Sequence, residues 1–265
     1  MMLIHYVSDL HLEGLQGRSD LTEVRPVAGC DVLVLAGDIV PLRQPAELER
    51  FIAPFTERGI AVLYVPGNHE YYRLSVPMPE RIRADLEAIP GLQLLDDTST
   101  IINGVRFLGS TLWSPLKAVE EGIPIAGEDE LCRFLNDFRM IRCDGGEQPL
   151  TPARMRELHR QSWTWLRDAL RTAHDGPTVV ITHFVPSPAG IEAQFVGSTL
   201  NGYFVADCRD LMSADISLWI AGHTHGSFQV RDEASGVPLV CNPSGYFRHG
   251  QRENASFNPL ATITI

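Results

Sequence analysis

The sequence predicts an α/β protein in which β-sheets pack on each other with helices outside. Short runs rich in β-branched residues and leucine alternate with helical patterns up to Gly91, and a second strand-rich region follows. The chain has 265 residues, of which 44 % are hydrophobic. That length is enough to bury one large core without disulfide bonds.

The first region alternates strands with helices. Its strands are predicted at Leu3–Ser8, Asp31–Ala36 and Ala61–Val65. A helix that begins at Pro45 separates the second strand from the third. Pro54 is expected to kink or end this helix. Another helix precedes Pro90. This βαβ order is typical of a parallel sheet.

From Leu92 the pattern indicates a second, more antiparallel region. Its strands are predicted at Leu92–Leu95, Thr100–Ile102, Val105–Leu108, Thr178–Thr182, Ile216–Ala221, Phe228–Arg231, Pro238–Cys241 and Leu260–Ile265. Asn103-Gly104 predicts a type I′ hairpin. Helices are predicted over Asp129–Phe138 and from Thr151 to just before Asp175. With no repeat or linker, residues 1–265 are expected to form one domain.

Charge and composition exclude several classes of protein. There are 33 acidic and 22 basic residues, which gives a net charge of −11, and the lysines and arginines are not clustered. The chain therefore lacks the basic surface expected of a general nucleic-acid or anionic-membrane binder. No run approaches the roughly 18 apolar residues of a membrane helix. The start lacks the pattern of a signal peptide, and the five cysteines are scattered, so a cytoplasmic location is expected. The sequence does not indicate an oligomeric state.

Asp, Asn or His side chains follow five predicted strands. In chain order these are Asp9 with His11, Asp38, Asn68 with His69, His183, and His223 with His225. Because ligands bind at the carboxyl ends of strands in α/β sheets, we expect the eight side chains to converge. Residues at i and i+2 of an extended segment point to one side, so the pairs Asp9/His11 and His223/His225 can each bind one ion.

Nitrogen and oxygen donors without thiolates suit a transition metal, namely Mn, Fe, Zn, Co or Ni. Without His69, seven of these side chains are candidate ligands. Seven are too many for one tetrahedral ion and fit two ions about 3.5–4 Å apart with a bridging carboxylate. Taken singly, Asp and Asn after a strand usually form turns or helix caps. Five such blocks together favour a dinuclear site.

These blocks resemble the signature of a known family. Asp9-x-His11, Gly37-Asp38, Gly67-Asn68-His69-Glu70, His183 and Gly222-His223-x-His225 are similar, in content and order, to the five blocks of calcineurin-like metallophosphoesterases. The resemblance implies two packed mixed sheets flanked by helices, a four-layer α-β-β-α sandwich with its metal site at the strand carboxyl ends. It also implies a ligand assignment: Asp9, His11 and His225 on one ion, Asn68, His183 and His223 on the other, and Asp38 bridging.

His69 matches the family's non-ligand histidine, which contacts the phosphate and protonates the leaving oxygen. The resemblance thus implies hydrolysis of a soluble phosphomonoester or phosphodiester by a metal-bridging hydroxide, with two divalent or trivalent ions as cofactors. Asn68, His69 and, in a later loop, Asn201 are the predicted substrate contacts. Phe184 stands where close relatives have a second histidine, which removes one possible substrate contact.

Two other functions stay open at this point. The first is a protein phosphatase or nuclease on the same core, although a nuclease should show a basic groove that the charge of −11 disfavours. The second is an inactive metal-binding scaffold for partner proteins, which should have lost ligands. No ligand block is lost here.

Overall fold

The structure, a computed structural model, describes residues 1–15 and 18–265. In these ranges the strands are β1 (Leu3–Val7), β2 (Val32–Ala36), β3 (Ala61–Val65), β4 (Leu92–Leu94), β5 (Thr98–Ile102), β6 (Val105–Ser110), β7 (Arg142–Cys143), β8 (Gln148–Pro149), β9 (Thr178–Thr182), β10 (Ile216–Ala221), β11 (Phe228–Arg231), β12 (Pro238–Cys241), β13 (Phe247–Arg248), β14 (Gln251–Arg252) and β15 (Thr262–Thr264). The helices are α1 (Pro45–Thr56), α2 (Glu80–Glu87), α3 (Glu128–Phe134), α4 (Asp137–Met140), α5 (Pro152–Arg171) and α6 (Asn201–Phe204).

Two large sheets form the centre of the protein. The first has the order β15-β1-β2-β3-β4 and the second the order β11-β12-β10-β9-β6-β5. In the first sheet β1 to β4 are parallel, and β15 is antiparallel to β1. In the second sheet β6, β9, β10 and β12 are parallel, and only the edge strands β5 and β11 pair antiparallel.

The predicted antiparallel character of the second region is therefore wrong for its centre. Long connections that carry α3, α4, α5 and α6 separate β6 from β9 and β9 from β10, and such crossovers allow parallel pairing. β4 pairs with β3 and so belongs to the first sheet. The hairpin prediction is confirmed, because Asn103 and Gly104 have φ values of 48° and 81° between β5 and β6.

Strand β2 shows how the layers are built. Val32, Val34 and Ala36 face a core that lies between the two sheets, while Leu33 and Leu35 face the outer core under the helices. Every residue of this strand is buried, as expected for a parallel strand covered on both faces. α1 and α2 cover the first sheet and α5 covers the second. The four-layer α-β-β-α arrangement is thus confirmed.

One helix prediction needs correction. α1 ends at Thr56, two residues after Pro54, close to the predicted end. The single helix predicted over Asp129–Phe138 is instead two helices, α3 and α4, with Leu135 and Asn136 between them, and the backbone of Leu135 is extended (φ −93°, ψ 127°). The break leaves Phe134 61 % exposed and buries Asp137 completely.

Candidate metal centre

The carboxyl ends of β1, β2 and β3 meet those of β9 and β10 at one edge of the sandwich. The loops there are joined by backbone hydrogen bonds: the Asp9 N–H donates to Gly37 O (2.9 Å), and the Gly222 N–H to His183 O (3.0 Å). A bridge between Ser8 and Pro243 links the first sheet to the second. The predicted convergence therefore occurs, with both sheets contributing.

Five of the seven predicted ligands have a left-handed backbone. The φ values are 53° for Asp9, 46° for His11, 56° for Asp38, 75° for His223 and 56° for His225. This conformation is uncommon outside glycine and is strained. Such strain concentrates at functional sites, where the surrounding fold maintains it.

One ligand cluster consists of Asp9, His11 and His225, whose donor atoms all lie within 4.8 Å of one another. His11 Nε2 lies 3.3 Å from His225 Nε2, which in turn lies 3.4 Å from Asp9 Oδ1. On its other nitrogen, His225 Nδ1 donates to Glu253 Oε2 at 2.8 Å. Burial opposes the charge on His225, but Asp9 and Glu253 outweigh it and raise the pKa of His225 to about 9.

A second cluster brings together Asp38, His183 and His223 within the same limit. His183 Nε2 lies 3.0 Å from Asn68 Oδ1, 3.4 Å from Asp38 Oδ1 and 3.2 Å from His223 Nδ1. All four residues are buried. Asp38 also lies with His11 and His69 in a third such group, so its carboxylate is shared between the two sides of the site.

The tautomer of His183 is fixed by its surroundings. Its Nδ1 lies 3.0 Å from the carbonyl oxygen of Ala36, which can only accept, so Nδ1 carries the proton and Nε2 presents a lone pair. The amide of Asn68 donates through Nδ2 to Asp137, which turns its Oδ1 toward that lone pair. Two acceptors therefore face each other without a proton between them, an arrangement that a cation would stabilise.

The charges at the site fit a cation as well. The pKa of Asp38 is raised well above its ordinary value by burial and by the negative charges of Glu70 and Asp9. Burial lowers the pKa of His183 and of His223. The carboxyl groups of Asp9 and Asp38 and the neutral imidazoles of His183 and His223, buried together, form a donor set that can hold a metal ion.

Glu70 joins the loops that carry Asp38 and Asn68. Its Oε2 accepts from the backbone N–H of Asp38 (2.8 Å) and of Gly67 (2.9 Å). Its Oε1 accepts from the Ile39 N–H and the Tyr64 hydroxyl, both at 2.7 Å. Glu70 is thus the structural anchor of the third sequence block and lies outside the ligand clusters.

Gly37 and Gly67 leave room for the ligands. A Cβ at Gly37, whose φ is 87°, would lie 2.2 Å from His183 Nδ1, and one at Gly67 would lie 2.2 Å from Asp38 Oδ1. These contacts explain why a glycine precedes both Asp38 and Asn68.

A polar network behind Asn68 was not predicted from the sequence. Asp137 Oδ1 accepts from Asn68 Nδ2 (2.8 Å) and from the Tyr72 hydroxyl (3.0 Å), and Oδ2 accepts from the Tyr203 hydroxyl (2.8 Å). Burial raises the pKa of Asp137. The sequence signals this network only by an acidic residue directly before Phe138, on the apolar face of the predicted helix.

His69 lies beside the two clusters. Its ring stacks on Tyr72, with centroids 4.0 Å apart, and its Nε2 lies 3.1 Å from the Tyr246 hydroxyl and 3.9 Å from Asp38 Oδ2. Glu13 Oε1 is 4.0 Å from its Nδ1. Burial, followed by the neighbouring histidines, lowers the pKa of His69 to about 2.

A cavity of about 440 Å³ opens onto this centre, and Asn68, His69, His223 and His225 line it. Asn201 also lines it, but its Nδ2 donates to Glu120 Oε1 (2.6 Å) and to Phe195 O (2.7 Å), so both its amide protons hold the loop together. Tyr246, which sequence reasoning did not identify as a site residue, forms another part of the wall.

The sequence comparison decides the family. The family model for calcineurin-like phosphoesterases matches residues 2–227. The chain belongs to the calcineurin-like phosphoesterase family. As such it is a metal-dependent phosphoesterase, and the inactive-scaffold alternative is not supported. Among the described residues, no helix of this phosphoesterase combines the length and apolar character needed to cross a membrane.

Two relatives cover nearly the whole phosphoesterase. Uncharacterized protein L509 of Acanthamoeba polyphaga mimivirus is 25 % identical over 289 residues, which cover 100 % of this chain and 97 % of the viral protein. The crystal structure of the phosphopantetheinyl hydrolase PptH from Mycobacterium tuberculosis has a TM-score of 0.67 and 17 % identity, covering 92 % of this chain and 89 % of that one. The second likeness supports the shared fold.

Proposed function

We propose that the protein is a dinuclear phosphoesterase for a small, soluble phosphomonoester or phosphodiester. Asp9, His11 and His225 would hold one ion, and Asn68, His183 and His223 the other, with Asp38 shared. The observation that carries this proposal is that three acceptor atoms lie close together with no proton between Nε2 and the amide oxygen: His183 Nε2 is 3.0 Å from Asn68 Oδ1 and 3.4 Å from Asp38 Oδ1.

When bound, two transition-metal ions would supply electrophilic stabilisation of the phosphoryl oxygens and an activated water. Residues of the chain position the groups around them. The backbone N–H of His69 donates to Asp38 Oδ1 (2.9 Å), and Glu70 accepts from the backbone N–H groups of Asp38 and Ile39. The ligand geometry is therefore organised by the fold before substrate arrives.

We assign the proton donor for the leaving oxygen to His69. Its imidazole lies on the cavity wall, stacked on Tyr72 and with Nε2 at 3.1 Å from the Tyr246 hydroxyl, which a bound phosphate ester would replace as the partner of Nε2. Burial and neighbouring histidines lower the pKa of His69 and so disfavour its charged form. A phosphate anion bound beside the ring would favour the charged form and so supply the proton donor. Donation from Nε2 to the departing oxygen would lower the barrier most for alkoxides.

The cavity disfavours the nuclease alternative. Its described lining residues include neither lysine nor arginine. Binding of a nucleic-acid backbone depends on such cations, which release counterions from the phosphates.

A leaving-group series tests the proposed function. Wild type supplied with Mn²⁺ should hydrolyse 4-nitrophenyl phosphate or bis(4-nitrophenyl) phosphate, together with alkyl analogues of the same ester type. His69→Asn should keep its bound metal, as measured by elemental analysis, and slow the alkyl esters by about 10²–10⁴-fold and the nitrophenyl esters far less. The control His174→Asn changes a histidine that bonds the β5–β6 turn.

Absence of hydrolysis by metal-loaded wild type on both ester types would overturn the proposed function. An equal slowing of alkyl and nitrophenyl esters by His69→Asn would show that His69 is not the acid.

A further inference from the structure

We propose that the cavity beside the metal centre selects phosphate esters whose alcohol part is uncharged and largely apolar, and that it rejects esters with a second anionic group. The inference rests on the proposed function and names the substrate class of that same site.

Much of the cavity wall is apolar. Its large apolar side chains, which together are called the apolar wall, are Phe134, Leu135, Ile191, Phe195, Leu200 and Phe204. Asn68, His69 and His223 bring polar groups to the cavity from the metal centre, and Asn136, Ser198 and Asn201 add a few others. A pocket lined mainly by apolar side chains beside a polar reactive centre fits a phosphate ester with a largely apolar alcohol part.

Two aromatic side chains at the cavity are unusually open to solvent. Phe134 is 61 % exposed and Phe195 is 47 % exposed. Both belong to the few large exposed hydrophobic residues among those described, and both line this one cavity. An exposed apolar patch next to a reactive centre indicates contact with an apolar ligand.

The apolar wall is fixed in place before a ligand binds. Asn201 ties α6 to Glu120 and to Phe195, and the Ser114 hydroxyl donates to Gly202 O at 2.7 Å. The Ala126 N–H donates to Thr199 O at 2.9 Å. A preformed wall avoids the cost of ordering the loop on binding.

The charges of the wall oppose a second anion. The acidic residues Glu192 and Glu253 line the cavity, and its described wall includes no lysine or arginine. Glu253 forms an ion pair with His225 and accepts from the Tyr246 N–H, so its charge is compensated. Glu192 accepts from Gln194, and no ion pair to an arginine or lysine is formed by it in the described ranges. A carboxylate or second phosphate on the substrate would therefore meet the uncompensated charge of Glu192 at this wall.

Two matched substrate series test the inference. Phenyl phosphates with a para-carboxamide or a para-carboxylate have nearly the same shape and differ in charge. The carboxamide should have a kcat/KM at least about tenfold higher, since like charges are disfavoured in the cavity. Across ethyl to octyl phosphates, kcat/KM should rise by up to about fourfold per methylene until the wall is covered.

Variants link both preferences to the wall. Glu192→Lys should remove or reverse the preference for the carboxamide. Phe134→Ser combined with Phe195→Ser should flatten the chain-length series, and folding is retained because both side chains are exposed. The control Ile101→Ser removes a hydrophobic residue that is 60 % exposed on edge strand β5, away from the cavity, and should leave both series unchanged.

A carboxylate substrate hydrolysed as well as the carboxamide, or a flat alkyl series in wild type, would overturn the inference while leaving the phosphoesterase proposal intact. If wild type hydrolyses only diesters, both series are run as the corresponding methyl diesters. Absence of hydrolysis of monoesters and of diesters by metal-loaded wild type would instead overturn the proposed function itself.

Discussion

The side-chain amide of Asn68 is oriented by residues that follow it by 69 and 135 positions. Asp137 accepts its Nδ2 proton, and Tyr203 lies 3.4 Å from the same nitrogen. With Nδ2 held on that side, Oδ1 must face His183. Asp137 is therefore a positioning residue: it contacts neither cluster's donor atoms except through Asn68.

Asp137→Asn should weaken binding of one ion. An asparagine can present its own N–H₂ group to Asn68, so the Asn68 amide loses the constraint that directs Oδ1. Loss of such an outer contact typically lowers metal affinity by about 10–100-fold. We expect titration calorimetry with Mn²⁺ to show one weakened site and one unchanged site, with Asp85→Asn, an exposed acid on α2, as control. Two unchanged sites would contradict the role.

At the scale of elements, the loops after β2 and β3 behave as one unit because Glu70 accepts hydrogen bonds from both. Its side chain is 1 % exposed, and each of its oxygens accepts two protons. The unit carries Asp38 on one loop and Asn68 on the other. The stability of the loops and the geometry of the site are therefore connected.

Glu70→Gln should destabilise the protein by about 3 kcal/mol. The new N–H₂ group cannot accept, so two buried donors are left unpaired, at a cost of about 1–3 kcal/mol each. Urea unfolding of the metal-free protein measures the effect, and Glu57→Gln, an exposed acid just after α1, is the matched control. Equal unfolding free energies for the two variants would contradict the anchoring role.

Local sequence patterns predict the strands and the blocks that follow them, because both depend on neighbouring residues. The break at Leu135 was not predictable in this way, because Leu131, Phe134 and Phe138 keep helical spacing across it. Asp137, just after the break, accepts from Asn68, which lies 69 residues earlier in the chain. The parallel centre of the second sheet depends likewise on long crossovers. The Tyr246 hydroxyl lies 3.1 Å from His69 Nε2 although the two residues are 177 positions apart, a contact that the spacing of residues in the sequence does not indicate.

At the scale of the whole molecule, strands of both sheets end at one edge, and the local charge at that edge once metal is bound differs in sign from the net charge of the chain. The chain has a net charge of −11, and three of its acidic residues, Asp9, Asp38 and Glu70, lie buried at this edge. Two divalent cations would offset these carboxylates and leave the centre attractive to a phosphate. The net charge and the cavity walls meanwhile disfavour polyanions.

The central claim is that two ions share Asp38, and anomalous X-ray scattering from crystals grown with Mn²⁺ tests it most directly. We expect two manganese peaks about 3.5–4 Å apart. One should contact Asp9, His11 and His225, and the other Asn68, His183 and His223, with the Asp38 carboxylate between them. A single peak, or two peaks that Asp38 does not bridge, would contradict the account.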